Sequence, residues 1–250
     1  MPHFGLIGRR LAHSYSKVYF EEKFRALGLQ DCHYDLYETE NIGTIRDFLK
    51  RHPLDGFNVT IPYKEAIVPQ LDDMDPVARE IGAVNVVKVH RAADASLCLV
   101  GYNTDAPAFR DSLLPLLQQW HREALILGTG GAAKAVAWAL RRCGVAYRFV
   151  SRSPEGQGRM GYADAWRAAR QALLIVNATP VGMYPDVGDT PWQHPEVLTA
   201  KHLCYDLIYN PSATRFLREA ALQGATVQNG LDMLHRQADL AFDIFFAPKP

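Results

Sequence analysis

The sequence predicts an α/β fold arranged as two domains, and three observations carry that expectation. Short apolar runs alternate with amphipathic segments along the chain, the pattern of strands joined by helices. One of those runs passes straight into a glycine-rich turn, GTGGAA at 128–133, which opens a helix. A length of 250 residues with 48% hydrophobic content suits one large domain or two modest ones, each with its own core.

Residues 4–8, FGLIG, read as a first strand ending in glycine. A helix is expected at 16–28, where Phe20, Phe24 and Leu27 recur at helical spacing. A strand follows at 33–38, HYDLYE, then a helix at 41–51 with Ile42, Ile45 and Leu49 on one face. The run from Phe57 to Ile61 reads as a buried strand that Pro62 ends, because proline cannot donate to a ladder. Lys64 stands just past it. Either it begins a solvated helix, YKEAIVPQL, or it faces a cleft and handles a proton, since ligand clefts form at strand ends in α/β folds. AVNVVKV and SLCLVGYN pair as a hairpin across ADA.

From Glu123 a second alternation begins. ALILG, YRFVS, LLIVNAT, HLCYDLIY and ATVQ read as strands, with helices at about 131–143, 163–171 and 213–223. Such alternation means a parallel sheet with right-handed crossovers. The segment 230–246 is an amphipathic helix, with Leu231, Leu234, Ala238, Phe242 and Phe245 on one stripe.

The GTGGAA turn has the strand-before, helix-after context of a dinucleotide fingerprint. Gly128 makes the tight turn, Gly130 lets the backbone approach a pyrophosphate, and Ala133 is the small residue that permits close helix–strand packing. Amide groups at the helix start then bind phosphate. The alternative is a glycine-rich turn packed for steric reasons. The next strand ends in Ser151, Arg152 and Ser153. An acidic residue there would bond a ribose 2′-hydroxyl, whereas an arginine suits a 2′-phosphate. The residues therefore point to NADP(H), with a solvated surface arginine as the other reading.

Composition excludes several classes. Acidic and basic residues balance at 27 each, which argues against a broad surface for nucleic acid or anionic membrane. Cys32, Cys98, Cys143 and Cys204 are scattered, with no C-x-x-C, so neither a structural metal site nor a disulfide framework is expected. Reduced thiols fit a cytoplasmic protein. The N-terminal apolar stretch is too short for a signal peptide, and no apolar run approaches the roughly 18 residues of a membrane span. Monomer and homodimer both stay open.

The remaining polar residues collect near strand ends. Ser14 and Ser16 lie in AHSYSK, Asn58 and Thr60 on the strand before Lys64, Asn85 in GAVNVV, and Asp105 at the end of GYNTD. Each alone has an ordinary reading as a cap or turn residue. Ser14 and Ser16 would diverge in an extended segment, so a turn is expected there if both face one anion. A lysine and an aspartate at separate strand ends, near a nicotinamide, would form a proton-handling pair for hydride transfer to or from an alcohol.

Taken in order, GLIG…HSYS, NVTIPYKE, IGAVN, GYNTD, GTGGAAKA, SRS, NATPVGM, YDLIYNP and NGLDMLHRQA resemble the shikimate dehydrogenase family over nearly the whole chain. The resemblance implies a Rossmann-type dinucleotide-binding domain at 105–228. It implies a smaller α/β substrate-binding domain at 1–104, completed by the helix at 229–250, with the active site in the cleft between them. The implied reaction is NADP-dependent, reversible reduction of 3-dehydroshikimate to shikimate, on the way to chorismate and the aromatic amino acids. Ser14 and Ser16 match the hydroxyls that bind the substrate carboxylate, and Thr60, Asn85, Tyr209 and Gln237 match further substrate contacts. Lys64 and Asp105 match the catalytic acid–base pair. Gly128, Thr129, Gly130, Gly131, Ala132, Ser151 and Arg152 match the cofactor site, with Leu207 and Gly230 close to the nicotinamide half. Departures are Lys17 where the family usually has proline, Ala106 and Ala108 for glycines, and Ser151 and Ser153 for asparagine and threonine. Two rival readings remain: an enzyme of broader substrate or cofactor use, taking quinate, or both acids, with NADP or NAD; and a catalytically silent NADP-binding regulator, against which the intact Lys64 and Asp105 speak.

Overall fold

The computed structural model describes residues 1–11, 14–94, 96–156 and 158–248. The chain forms two compact units, Met1–Thr104 with Gln237–Pro250, and Asp105–Arg236.

The first unit holds β1 (His3–Gly8), α1 (Ser16–Ala26), β2 (His33–Glu38), α2 (Ile45–Arg51), β3 (Gly56–Val59), β4 (Asp73–Met74), α3 (Pro76–Ile81), β5 (Val86–Arg91) and β6 (Leu97–Tyr102). The second holds α4 (Asp105–Leu113), β7 (Glu123–Leu127), α5 (Gly131–Arg142), β8 (Ala146–Ser151), β9 (Arg159–Gly161), α6 (Tyr162–Ala168), β10 (Leu174–Asn177), β11 (Leu203–Asp206), α7 (Arg215–Leu222) and β12 (Thr226–Gln228). A last helix, α8 (Leu231–Phe246), starts in the second unit, and the return to the first falls inside it, at Gln237.

The first sheet has the order β2-β1-β3-β5-β6-β4. β1 runs parallel to β2 and β3, and β5 runs antiparallel to β3 and β6. The β5–β6 hairpin forms, although Ala95 in its connection lies outside the described residues. One face of the sheet packs Ile7, Phe57, Val59, Val87 and Leu99 with Ile45 and Leu49 of α2. The other packs Phe4, Leu6 and Tyr34 with Phe20 and Phe24 of α1 and with Ala238, Ala241 and Phe245 of α8. Phe245 stacks on Phe4 with centroids 4.7 Å apart. A Cβ on Gly56 would come within 2.6 Å of the Phe245 ring, so the helix needs a glycine beneath it. The buried Lys88 donates from Nζ to the carbonyls of Ile244 and Ala247, at 2.8 and 2.5 Å, closing the C-terminal end of α8.

The second sheet has the order β12-β11-β10-β7-β8-β9 and is parallel throughout. Its central strands are buried on both faces, which is why they read as unbroken apolar runs. The strand order reverses between β7 and β10, the switch point at which open α/β sheets receive ligands.

Three local expectations are corrected. β3 stops at Val59, not Ile61. YKEAIVPQL forms turns (Tyr63 N to Thr60 O and Ile67 N to Tyr63 O, both 2.9 Å) that end in a single 3-10 turn, Val68–Gln70. Pro69 has no N–H to continue a helix. The helix expected from 41 begins as a 3-10 turn, Ile42–Thr44, capped by the Asn41 side chain.

Two buried histidines in the second unit share one device. Gln118 N donates to His121 Nδ1 and Thr199 N to His202 Nδ1, each at 3.0 Å. That leaves Nε2–H to donate to the carbonyls of Lys201 and Ala169, at 3.0 and 2.9 Å. Both rings are thus held neutral, and burial pushes both pKa values below the ordinary 6.5. As pH falls the unfolded chain takes up these protons first. Their contribution to stability is complete above about pH 6.5 and is lost as pH falls from there through the folded values. Melting temperature is expected to drop between pH 7.5 and 5.5, and the slope to flatten in His202→Gln; an unchanged slope would remove His202 from this account.

Candidate functional site

In the first unit the serine turn forms. Ser14 N donates to Leu11 O at 2.9 Å, and Ser16 N donates to Ser14 Oγ at 3.3 Å, just as α1 begins. Ser14 and Ser16 are both half-buried, while His13 of the HSYS motif lies outside the described residues. Thr60 is the first residue past β3, where its methyl sits over Gly8; a Cβ on Gly8 would approach it to 2.6 Å.

Asn85 is the hub. It is buried at the start of β5, its Oδ1 accepts from Thr104 N at 2.7 Å, and its Nδ2 donates to Thr104 Oγ1 at 2.8 Å and to Gln237 Oε1 at 3.4 Å. Its neighbour Val84 donates from N to the carbonyl of Lys64 at 2.7 Å. One short backbone segment thus supports both the half-buried Lys64 and Thr104. Asp105 follows Thr104 directly and opens α4 in the second unit, buried in the first turn, where the helix dipole favours a carboxylate.

Sequence reasoning missed the next links. Asn58 Nδ2 donates to the Asn85 carbonyl at 3.4 Å, and Asn58 Oδ1 accepts from the Tyr34 hydroxyl at 2.8 Å, both side chains buried. Asn58 was visible as a polar residue in an apolar strand, but Tyr34 looked like any inward aromatic of β2.

In the second unit Gly128 leaves β7 with φ +107°, a conformation few residues adopt, and Gly128 N donates to Val150 O at 2.9 Å. Gly130 precedes α5, which has no side-chain cap. A Cβ there would meet nothing within 4 Å. The protein's own packing therefore does not demand a glycine at 130, and the bare backbone leaves room for close approach of a ligand. Thr129, Gly131 and Ala132 are half-buried around the same helix start, whose amides suit a phosphate. At the end of β8 the Ser151 hydroxyl accepts from Ser153 N at 3.1 Å, and Arg152 is exposed beside it. These residues fit a phosphorylated dinucleotide.

A second buried network stands at the ends of β10 and β11. Asp206, fully buried, accepts from Asn177 Nδ2 at 2.9 Å, Thr214 Oγ1 at 2.7 Å and Ile208 N at 3.0 Å. Burial pushes its carboxyl up to about 6, against the pull of these donors. The network fixes the turn carrying Leu207 and the half-buried Tyr209. Leu207 N donates to Asn177 O and Gly230 N to Ile208 O, each at 3.0 Å. A Cβ on Gly230 would lie 2.5 Å from the Leu207 carbonyl carbon, so the two backbones touch.

The sequence-predicted residues thus divide between the units. Ser14, Ser16, Thr60, Lys64, Asn85 and Gln237 belong to the first; Asp105, the glycine turn, Ser151, Arg152, Leu207, Tyr209 and Gly230 to the second. Among the described residues no group of three or more His, Cys, Asp or Glu stands ready to hold a metal, and no helix is long and apolar enough to cross a membrane.

Residues 6–87 match the family model described as the shikimate dehydrogenase substrate binding domain. A curated shikimate dehydrogenase (NADP(+)) of Bacillus cytotoxicus is 37% identical, over 99% of this chain and 93% of its own. Among solved structures, shikimate 5-dehydrogenase of Thermus thermophilus, in complex with NADP(H) and shikimate, superposes with a TM-score of 0.84 at 36% identity, covering 100% of this chain and 95% of that one. Quinate dehydrogenase of Corynebacterium glutamicum, in complex with NAD, gives a TM-score of 0.84 at 28% identity, with the same coverage of 100% and 95%.

Proposed function

The chain belongs to the shikimate dehydrogenase family, and from that membership we propose that it catalyses the NADP-dependent, reversible reduction of 3-dehydroshikimate to shikimate. The observation that carries the reading is the Asn85 hub, which ties Thr104, Gln237 and the support of Lys64 into one polar site. A hydroxylated ring acid is the kind of ligand such amides and hydroxyls recognise.

Ser14 and Ser16 donate to the substrate carboxylate from their turn. Thr60, Asn85, Tyr209 and Gln237 hold the ring hydroxyls. NADP(H), when bound, supplies or takes the hydride. Lys64 hydrogen-bonds the reacting oxygen and gives it a proton as alkoxide character develops; in the reverse direction it takes that proton back. Asp105 accepts from the same hydroxyl and orients the ammonium. The amides around Gly130, Gly131 and Ala132 hold phosphate, and Ser151 and Arg152 hold the 2′-phosphate. A cytoplasmic setting suits Cys32, Cys98, Cys143 and Cys204, all free thiols.

The test is shikimate-dependent reduction of NADP⁺ by purified protein, set beside quinate and NAD⁺. The highest kcat/KM is expected for shikimate with NADP⁺. Arg152→Ala should weaken NADP⁺ by about tenfold to a hundredfold, the loss of one charge-assisted phosphate contact, and NAD⁺ little. Equal losses for both cofactors would count against the 2′-phosphate role. No turnover with any hydroxy acid would favour a silent regulator instead.

A further inference from the structure

Tyr34 is out of character with its surroundings. It lies 1% exposed among Phe4, Phe20, Phe24 and Phe245, its ring stacked on Phe20 at 4.3 Å and 5°. A phenylalanine would fill the same space without burying a hydroxyl. That hydroxyl is not idle: it donates to Asn58 Oδ1 at 2.8 Å, and Asn58 Nδ2 continues to the carbonyl of Asn85 at 3.4 Å. The register makes this possible. Tyr34 lies opposite Phe4, and Asn58 opposite Leu6, so both side chains stand on the same face of the sheet, one row apart across β1. On its other side the ring stacks on Phe20 of α1, the helix that Ser16 opens. Burial pushes the phenol pKa well above its ordinary value, so it stays protonated and stays a donor.

We propose that Tyr34 is a positioning residue for the substrate site, its ring packed on α1, which carries Ser16, and its hydroxyl bonded to the Asn58–Asn85 segment. Ser16 and Asn85 come from parts of the chain far apart in sequence and on different elements. Each has its own local support, the Ser14 turn for one and Thr104 with Gln237 for the other. Tyr34 and Asn58 connect α1, through Phe20, to the Asn85 segment across β1. The assignment rests on the proposed shikimate reading, because it is the spacing of carboxylate-binding and hydroxyl-binding groups that the bridge sets. Tyr34 itself need not touch substrate. It acts by restricting where Ser16 and Asn85 come to rest.

Tyr34→Phe is the direct test, read by shikimate binding in calorimetry, NADP⁺ binding in the same instrument, steady-state kinetics and thermal melting. The expected result is a shikimate Kd and KM raised roughly three- to tenfold, the share of one lost hydrogen bond, with NADP⁺ affinity within twofold of the parent. Some loss of melting temperature is expected too, because Asn58 Oδ1 loses its donor. The double variant Tyr34→Phe with Asn58→Leu removes both buried polar partners. It should recover melting temperature while the shikimate KM stays raised. A single variant that melts early yet binds shikimate within twofold of the parent shows a structural role only and overturns the proposal. So does a double variant in which KM recovers together with stability. If the parent protein binds NADP⁺ but no shikimate, the functional reading itself falls and the positioning role with it, a result distinct from either of those.

Discussion

Lys64→Ala is expected to lower kcat by about 10²–10⁴, the usual share of general acid–base catalysis, and to change NADP⁺ affinity little. The affinity is spared because the glycine turn and Arg152 belong to the second unit and Lys64 to the first. The lysine carbonyl accepts from Val84 N, a bond that alanine keeps. Melting temperature is measured beside kcat, so that lost folding is told apart from lost chemistry. A structural lysine would reverse the pattern, with early melting and a normal kcat for the folded fraction. Asp105→Asn, which keeps the shape and removes the charge, is expected to lower kcat as well. If the two act as one unit, the double variant loses far less than the product of the single losses. Single-turnover rates for the four proteins decide this, and multiplicative losses would separate the two residues' roles.

Gly230→Ala is expected to cost about 3 kcal/mol or more, at the upper end for overpacking, which corresponds to a fall of about 6–12 °C in melting temperature. The added Cβ would meet backbone, not the end of a flexible side chain. Leu207 cannot yield, because its N–H is bonded to Asn177 O and the next residue's N–H to Asp206. Gly230 cannot yield easily either, since its own N–H bonds Ile208 O and its carbonyl accepts from Leu234 N at the start of α8. Gly188→Ala is the matched comparison: its Cβ would meet nothing within 4 Å, and its melting curve should overlay the parent's. Differential scanning calorimetry on the two variants tests the assignment; equal, small shifts would mean that the Leu207 turn can move after all.

What was legible beforehand follows physical rules. The central strands of the second sheet, β7, β10 and β11, were plain as apolar runs because they are covered on both faces, and the glycine turn was plain because positive φ at Gly128 selects its residue. A turn at Ser14 and Ser16 was expected only if both face one anion; the bond from Ser16 N to Ser14 Oγ supplies the turn, and the anion belongs to the proposal. β4 and β9 were not readable, since Asp73–Met74 and Arg159–Gly161 have no strand pattern of their own and owe their state to the edges they join. α3 carried a signal that went unused: Asp75 caps it through Val77 N and Ala78 N, with Pro76 at its first position. Of the first unit's site residues, Lys64 was visible because it stands just past a strand end, and Asn85 through the motif IGAVN. Tyr34 and Asp206 were not. A tyrosine in a strand announces packing, and an aspartate announces solvent. Only distant donors and acceptors, Asn58 for one, Asn177 and Thr214 for the other, turn them into interior polar anchors.

The return of α8 to the first unit has a consequence for biosynthesis. The first unit lacks Ala238, Ala241 and Phe245 until α8 is made, whereas Asp105–Arg236 is continuous. At translation rates of about 5–20 residues per second, Phe4, Phe20 and Phe24 wait on the order of ten seconds for their covering helix after β6 has left the ribosome. The second unit meets no such delay. Asp105–Arg236 is therefore expected to complete its fold before the unit that precedes it in the sequence.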